Sequence, residues 1–293
     1  MFNTLLVSPV EQGLLYAFLA LGVYLSFRVL GFPDLTVQGS FPLGAAIAAR
    51  MIAGNISPLA GTLAALAGGA LAGAATGLLH TRLRINNVIA SILTMTAAYS
   101  VTLRVMGRAN QPLLNSPTVF GMILGPLHIK EESLSVIAVS AVVVVLAALL
   151  FNAFLHTEVG LTIRATGDNE RMMRAFGGST DNVKVLALAI ANALAALSGA
   201  VVAQDQGFAD AGMGIGVLVI GAAAVIIGES LLGDRGPGWM ISAALLGIWL
   251  YQLIIALALQ VGLAATDLQL ITALLVTIAL SFPNVRRAIF VRT

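Results

Sequence analysis

The chain has 293 residues, 59% of them hydrophobic and 10% charged, with a formal net charge of +2. Soluble domains carry about 25% charged residues, so a soluble globular enzyme is excluded. The chain also has no cysteine, which excludes disulfides, thiol catalysis and cysteine–metal sites.

What remains is an all-α polytopic membrane protein, a single transmembrane domain over residues 1–293, because apolar runs long enough to cross ~30 Å of hydrocarbon recur throughout. Thirty glycines suit helices that approach closely in lipid. The mean hydropathy of +0.98 and pI near 9.3 point to basic loops on one side of a bilayer, with no nucleic-acid partner.

In chain order, the N-terminus lacks the basic region of a cleavable signal peptide, so the first span is expected to stay in the mature protein. Span 1 is predicted over Gly13–Val29. A polar stretch broken by Pro33 and Pro42 follows, and span 2 runs from it to Ile52. Span 3 covers Pro58–Leu79 and span 4 Asn86–Val105, with Asn86 or Asn87 as its cap. Residues 107–133, with Pro112, Pro117 and Pro126, read as a long loop. Span 5 is Leu134–Leu155, span 6 Val183–Ala203, span 7 Gly212–Ile227, span 8 Pro237–Leu259 and span 9 Leu268–Phe282.

Lys and Arg set the orientation. Arg28, Arg82, Arg84, Arg164, Arg171, Arg174, Lys184, Arg235, Arg286, Arg287 and Arg292 fall on one side, against Arg50, Arg104, Arg108 and Lys130 on the other. Loops 80–85, 156–184 and 229–236 and the C-terminus are therefore expected in the cytoplasm, and nine spans place the N-terminus outside. Arg50 is expected to snorkel to the outer interface. His80, His128 and His156 show no ligand spacing. An echo at an offset of 177 aligns Gly39, Gly44-Ala45-Ala46 and Gly61 with Gly216, Gly221-Ala222-Ala223 and Gly238. The two copies would lie in opposite orientations, as inverted repeats of transporters do.

Residues 156–184 hold eight of the 28 charged side chains. Hydrocarbon cannot solvate them, so they form an aqueous loop. Asp168 can cap a short helix from Asn169 to Phe176, ended by Gly177-Gly178 in the left-handed conformation. Met172, Met173 and Phe176 make its apolar stripe; Asn169, Glu170, Arg171 and Arg174 stay polar. Two readings stand open on geometry: a helix lying on lipid headgroups, or one seated in a groove of a soluble subunit.

The run from Gly160 to Val185, with the alanine-rich Ala187–Ala203 after it, resembles the cytoplasmic loop and next span of the branched-chain amino-acid/ribose-type ABC transporter permeases. Gly31–Ala49 is similar to that family's polar, broken second span, Arg82–Ile89 to the start of its fourth, and Gly228–Gly238 to its late glycine-rich turn. The resemblance covers nearly the whole chain. It implies the permease subunit of an ATP-driven importer in a bacterial inner membrane, with an ABC ATPase subunit and a substrate-binding protein as partners. A small polar solute, plausibly an amino acid, would be the cargo. The loop would form the coupling helices, with Arg164, Gly167, Asp168, Asn169, Glu170, Arg171, Met172, Met173, Arg174, Phe176 and Gly177 at the ATPase cleft. Pro33-Asp-Leu-Thr-Val-Gln-Gly departs from the Asn-Phe-Ala-His-Gly-like motif of paired permeases; it is closer to single-permease members and favours a homodimer.

No cofactor is expected on this chain. ATP and Mg would bind the partner, because the only lysines, Lys130 and Lys184, follow Ile129 and Val183 and no P-loop exists. Asp34, Thr36, Gln38 and Ser40 are polar groups beside helix breakers. Asp34 or Thr36 can cap the turn, worth ~1 kcal/mol. The resemblance implies instead that Thr36, Gln38 and Ser40, with Asp34 beside them, border the substrate pathway. Asp205 and Asp210 lie at the outer mouth, as solvated loop acids or as a dock for the binding protein. Glu229, Asp234 and Arg235 read as a structural turn. An ion-coupled secondary transporter is the alternative, and it would want charged chemistry inside the spans; spans 3 to 9 offer essentially none. No H-E-x-x-H or G-x-S-x-G occurs.

Overall fold

The computed structural model describes residues 2–114, 116–125, 133–233, 235–262, 270–274 and 277. Its helices are α1 (Phe2–Leu15), α2 (Ala17–Val23), α3 (Val37–Ala53), α4 (Pro58–Thr81), α5 (Asn87–Met106), α6 (Val119–Leu124), α7 (Ser133–Leu155), α8 (Glu158–Asp168), α9 (Glu170–Ala175), α10 (Thr180–Gln206), α11 (Val217–Leu232) and α12 (Pro237–Gln260). Two short strands, β1 (Asn110–Pro112) and β2 (Phe208–Asp210), pair antiparallel with Asn110 opposite Asp210.

The chain is all-α and polytopic. Five described helices are long and apolar enough to cross a membrane, or six if the first bent pair is one span. That first span is α1 and α2 with a π-helical extension, Tyr24–Val29, bent by 44°. Spans 2 and 7 are α3 and α11, of 17 and 16 residues, about 25 Å each at 1.5 Å per residue. Each is cut short where the backbone leaves the helix, at residues 30–36 and at the turns through Gly214 and Gly216. Span 9, Asp234, Lys130, His128 and the C-terminal arginines lie outside the described residues, apart from 270–274 and 277. The expected loop 107–133 instead contains β1 and α6. Such a ribbon needs a partner 98 residues away, which local composition does not encode.

α10 is the packing centre. It lies against α2, α3 and α4 with its backbone almost touching theirs, because glycines face it. A methyl group added at Gly22, Gly44, Gly69 or Gly73 would strike the backbone of Ala191, Ala196, Asn192 or Leu188. At Gly77 it would stand 2.7 Å from Val185 Cα. Small residues let helix backbones approach in this way and gain dispersion contacts that lipid cannot supply.

Contact pairs give the helix directions. Leu15 meets Ser198 and Gly22 meets Ala191, so α2 and α10 are antiparallel. Thr62 meets Gln204 and Gly77 meets Val185, so α4 and α10 are antiparallel as well. Adding 177 carries residues 2–29 onto 179–206, 37–53 onto 214–230 and 58–81 onto 235–258. These ranges match α10, α11 and α12. The corresponding elements α2 and α10 run in opposite directions. Gly44 faces Ala196 and its counterpart Gly221 faces Val23 and Leu19; 196 and 19 differ by the same 177.

Candidate functional site

At one end of the bundle the charged loop folds as two helices. α8, within the stretch that composition marks as an aqueous loop, starts at Thr157, whose hydroxyl accepts from Gly160 N at 3.3 Å. Its buried face is Gly160, Ile163 and Thr166, three residues apart. Gly167 lies directly on the backbone of Val29, so α8 is seated under the π-helical segment. Arg164 and Asp168 border a polar cavity of about 270 Å³ shared with Tyr24, Arg28 and Met240.

α9 follows at once. Its cap is Asn169, whose side chain accepts from Met172 N at 3.0 Å. This corrects the expectation for Asp168, which closes α8 instead, since the chain has no room to uncoil before Asn169. Gly177 has φ +81°, the left-handed stop that glycine permits.

α9 has two faces. The inner one is an ion cluster on α10. The Glu170 carboxylate accepts from Arg174 Nη2 and Lys184 Nζ, both at 2.7 Å, and from Thr180 Oγ1 at 3.3 Å. Arg174 also donates to Thr180 Oγ1 at 2.8 Å and Asp181 Oδ1 at 3.2 Å. Partial burial pushes the Glu170 carboxyl up, but its bond to Lys184 and the charges of Lys184 and Arg174 outweigh this and hold it below the usual carboxylate range. The outer face presents Arg171, Met172 at 48% exposure and Phe176 at 80%. Met173 is half-buried against Gly178. The charged ends of Arg174 and Glu170, both expected at the ATPase cleft, bond to each other and to the start of α10.

The polar break before α3 is built from Asp34, Thr36, Ser40 and a residue the sequence reading missed, Asn192. Asp34 is wholly buried. One of its oxygens accepts from Thr36 N at 2.9 Å and the other from Asn192 Nδ2 at 2.6 Å. Ser40 donates to Asn192 Oδ1 at 2.7 Å, and Thr36 and Thr76 share a hydroxyl bond of 2.7 Å. None of the ion pairs among the described residues involves Asp34. Burying such a group costs several kcal/mol unless its oxygens are bonded, and here both are. Asp34, Thr36 and Ser40 are closed inside the α3–α4–α10 packing, whereas Gln38 borders a cavity. A lone amide in the apolar run 187–203 was the available signal for Asn192.

Gln38 faces a cavity of about 660 Å³ together with Gln12, Tyr16, Ile215, Gly216, Val219, Ile220, Tyr251, Gln252, Ile255, Thr272 and Ala273. The volume is in the ~300–1,000 Å³ range of small-molecule sites. Three amides and two phenols offer hydrogen bonds, and none of the described residues lining it is charged. The N-terminal ends of α3 and α11 both open here, since Gly214 packs on the carbonyl of Gln38.

At the far end, Gln12 donates to Asp205 at 3.2 Å, and Asp210 accepts from Asn110 Nδ2 at 3.3 Å and Gly212 N at 2.7 Å. Both acids are tied into the structure there. Glu229 holds Arg28 at 2.6 Å at the α9 end. Arg235 stacks on Trp239. Among the described residues no group of His, Asp and Glu could hold a metal ion.

Residues 5–281 match the protein family described as the permease component of the branched-chain amino acid transport system. A tyrosine transport system permease protein of Clostridioides difficile is 37% identical over 95% of this chain and 91% of its own. An uncharacterized protein of Rickettsia prowazekii is 33% identical over 94% and 97%. The ribose import permease protein of Escherichia coli K12 is 28% identical over 83% and 75%. No solved structure matches the chain significantly.

Proposed function

We propose that this chain, which belongs to the branched-chain amino acid transport permease family, is the membrane-spanning subunit of an ATP-driven importer whose ATPase docks on α9. The observation that carries the docking is the outer face of α9: two apolar side chains, Met172 and Phe176, exposed on a short helix whose base is pinned to α10 by an ion cluster. A large apolar group held rigidly outward, with Arg171 beside it, is what a binding groove selects for. A helix lying loosely on lipid needs no such pinning.

The excess of Lys and Arg at this end supports a cytoplasmic location, with α9 facing the ATPase and the β1–β2 ribbon facing a substrate-binding protein. The N-terminus is then outside. The chain works as a homodimer, with about nine spans once α3, α11 and the C-terminal segment are counted. ATP and Mg belong to the partner. The solute crosses through the Gln38 cavity, whose uncharged amides and hydroxyls offer weak, distributed contacts. An amino acid is its substrate class, supported by the relative named for tyrosine transport. Buried Asp34, with no ionic partner among the described residues, is the one observation favouring an ion-coupled secondary transporter instead.

Co-purification and energetics separate the two. The importer requires a stoichiometric ATPase in the detergent-solubilised complex and uptake that stops on ATP depletion. Uptake that survives ATP depletion and stops with an uncoupler overturns it.

A further inference from the structure

We propose that α10 conveys the state of the docked ATPase to the solute cavity through two polar joints: Glu170–Lys184 at its base, and Asn192 with Asp34 and Ser40 halfway along. Lys184 and Asn192 are thereby positioning residues. This rests on the reading of α9 as the ATPase contact.

A displacement of α9 must enter the bundle somewhere. Of the four ion pairs and hydrogen bonds that leave the charged ends of Glu170 and Arg174 for other elements, all reach the first turns of α10, at Thr180, Asp181 and Lys184. Lys184 is the most sheltered ionic partner, its side chain 14% exposed against 29% for Asp181. Shelter from water keeps such a bond from being screened away.

From Lys184 to Asn192 is eight residues of unbroken helix, about 12 Å. Glycine contacts on α2, α3 and α4 leave α10 no compressible layer of side chains to absorb a shift. Asn192 then makes two directional bonds across to the start of α3, at 2.6 Å to Asp34 and 2.7 Å to Ser40. Between those two residues lies Gln38, which faces the cavity. Apolar contacts slide; these four-atom joints hold register, and leaving Asp34 unbonded in the interior would be costly. The two joints and the helix between them form one continuous polar-to-polar path from the exposed knob of α9 to the cavity wall.

The test needs no knowledge of the solute. The chain lacks cysteine, so Gln38→Cys gives it a single thiol. In the purified complex with its ATPase, the rate at which a methanethiosulfonate reagent modifies this thiol is measured with and without Mg-ATP plus vanadate. The expected result is a rate change of about fivefold or more, the lower end of measured site-to-site couplings. In complexes that retain the ATPase, Lys184→Met and Asn192→Leu should each abolish that response. Lys184→Arg should retain it, and the double variant should be no worse than either single one. If Lys184→Met fails to assemble, Glu170→Gln breaks the same joint and gives the same answer. An ATP response in Lys184→Met within about twofold of the parent, or a parent thiol indifferent to ATP with ATPase bound, overturns the inference alone. Failure of the unmodified chain to bind any ATPase overturns the proposed function with it.

Discussion

Phe176→Ala is the sharpest probe of the α9 surface. The side chain is 80% exposed. An aromatic side chain covers ~150 Å² at the low end when fully buried, so docking would hide about 120 Å² more. At ~25 cal/mol per Å² that is about 3 kcal/mol. Immobilising the ring and its surroundings costs about 1 kcal/mol, leaving about 2 kcal/mol, or roughly 30-fold in Kd. The assay is binding of the purified ATPase subunit to the chain in nanodiscs, by surface interferometry. The variant should melt as the unmodified chain does, because a truncated exposed side chain changes stability by less than about 0.5 kcal/mol. Association within about twofold of the parent refutes the docking face. Retained association with weakened attachment of the loop to anionic vesicles would assign the face to lipid headgroups.

Asn169→Ala removes the cap of α9 and should cost about 1 kcal/mol of local order, read as faster amide exchange over 170–176; unchanged exchange would mean that the cap contributes nothing. Gly77→Ala places a methyl carbon 2.7 Å from Val185 Cα, 0.7 Å inside the 3.4 Å limit of ordinary contact. Forcing α4 and α10 apart should cost about 1–3 kcal/mol. Gly125→Ala, where no described residue lies within 4 Å, is the neutral control, and equal melting of the two variants would sink the close-packing account. Because the Glu170 carboxyl is held below its ordinary value, its contribution to anchoring α9 is fully present above the unfolded value of about 4.3 and disappears as pH falls through the lower folded one. A nitroxide at residue 175 should therefore stay immobile from neutrality down to about pH 5 and loosen only in stronger acid; release near neutrality contradicts the cluster.

The long apolar runs made α4, α5, α7, α10 and α12 legible, since only helices can satisfy their backbones in lipid. Gly177 and the short helix before it were legible because capping chemistry is local. α8 was not: Arg164 and the threonines give it a polar surface, and its apolar stripe is completed only by the π-helical segment beneath. The Asp34–Asn192 bond joins residues 158 apart, and no local pattern foretells which buried amide will answer a buried acid. The same holds for the cavity, whose glutamines and tyrosines come from α1, the α1–α2 junction, α3 and α12. Arg174 shows a different limit. Its residue type predicts an ion pair, while only the fold decides whether the partner sits on this chain or another.

The β1–β2 ribbon has a mechanical corollary. It fixes the far end of α10, with Leu113 N bonded to Gly207 O at 2.7 Å and Ala211 N to Ala109 O at 2.9 Å. A rod clamped there and pushed at Thr180 behaves as a lever about the ribbon. α10 has 27 residues, about 40 Å, and Asn192 stands near the middle of that arm. On the coupling proposed above, travel arriving at the base would be roughly halved at the Asp34 joint and would vanish at the ribbon, so the fulcrum would set the gearing. Shortening or lengthening the arm between Thr180 and Asn192 would alter stroke without touching either contact surface.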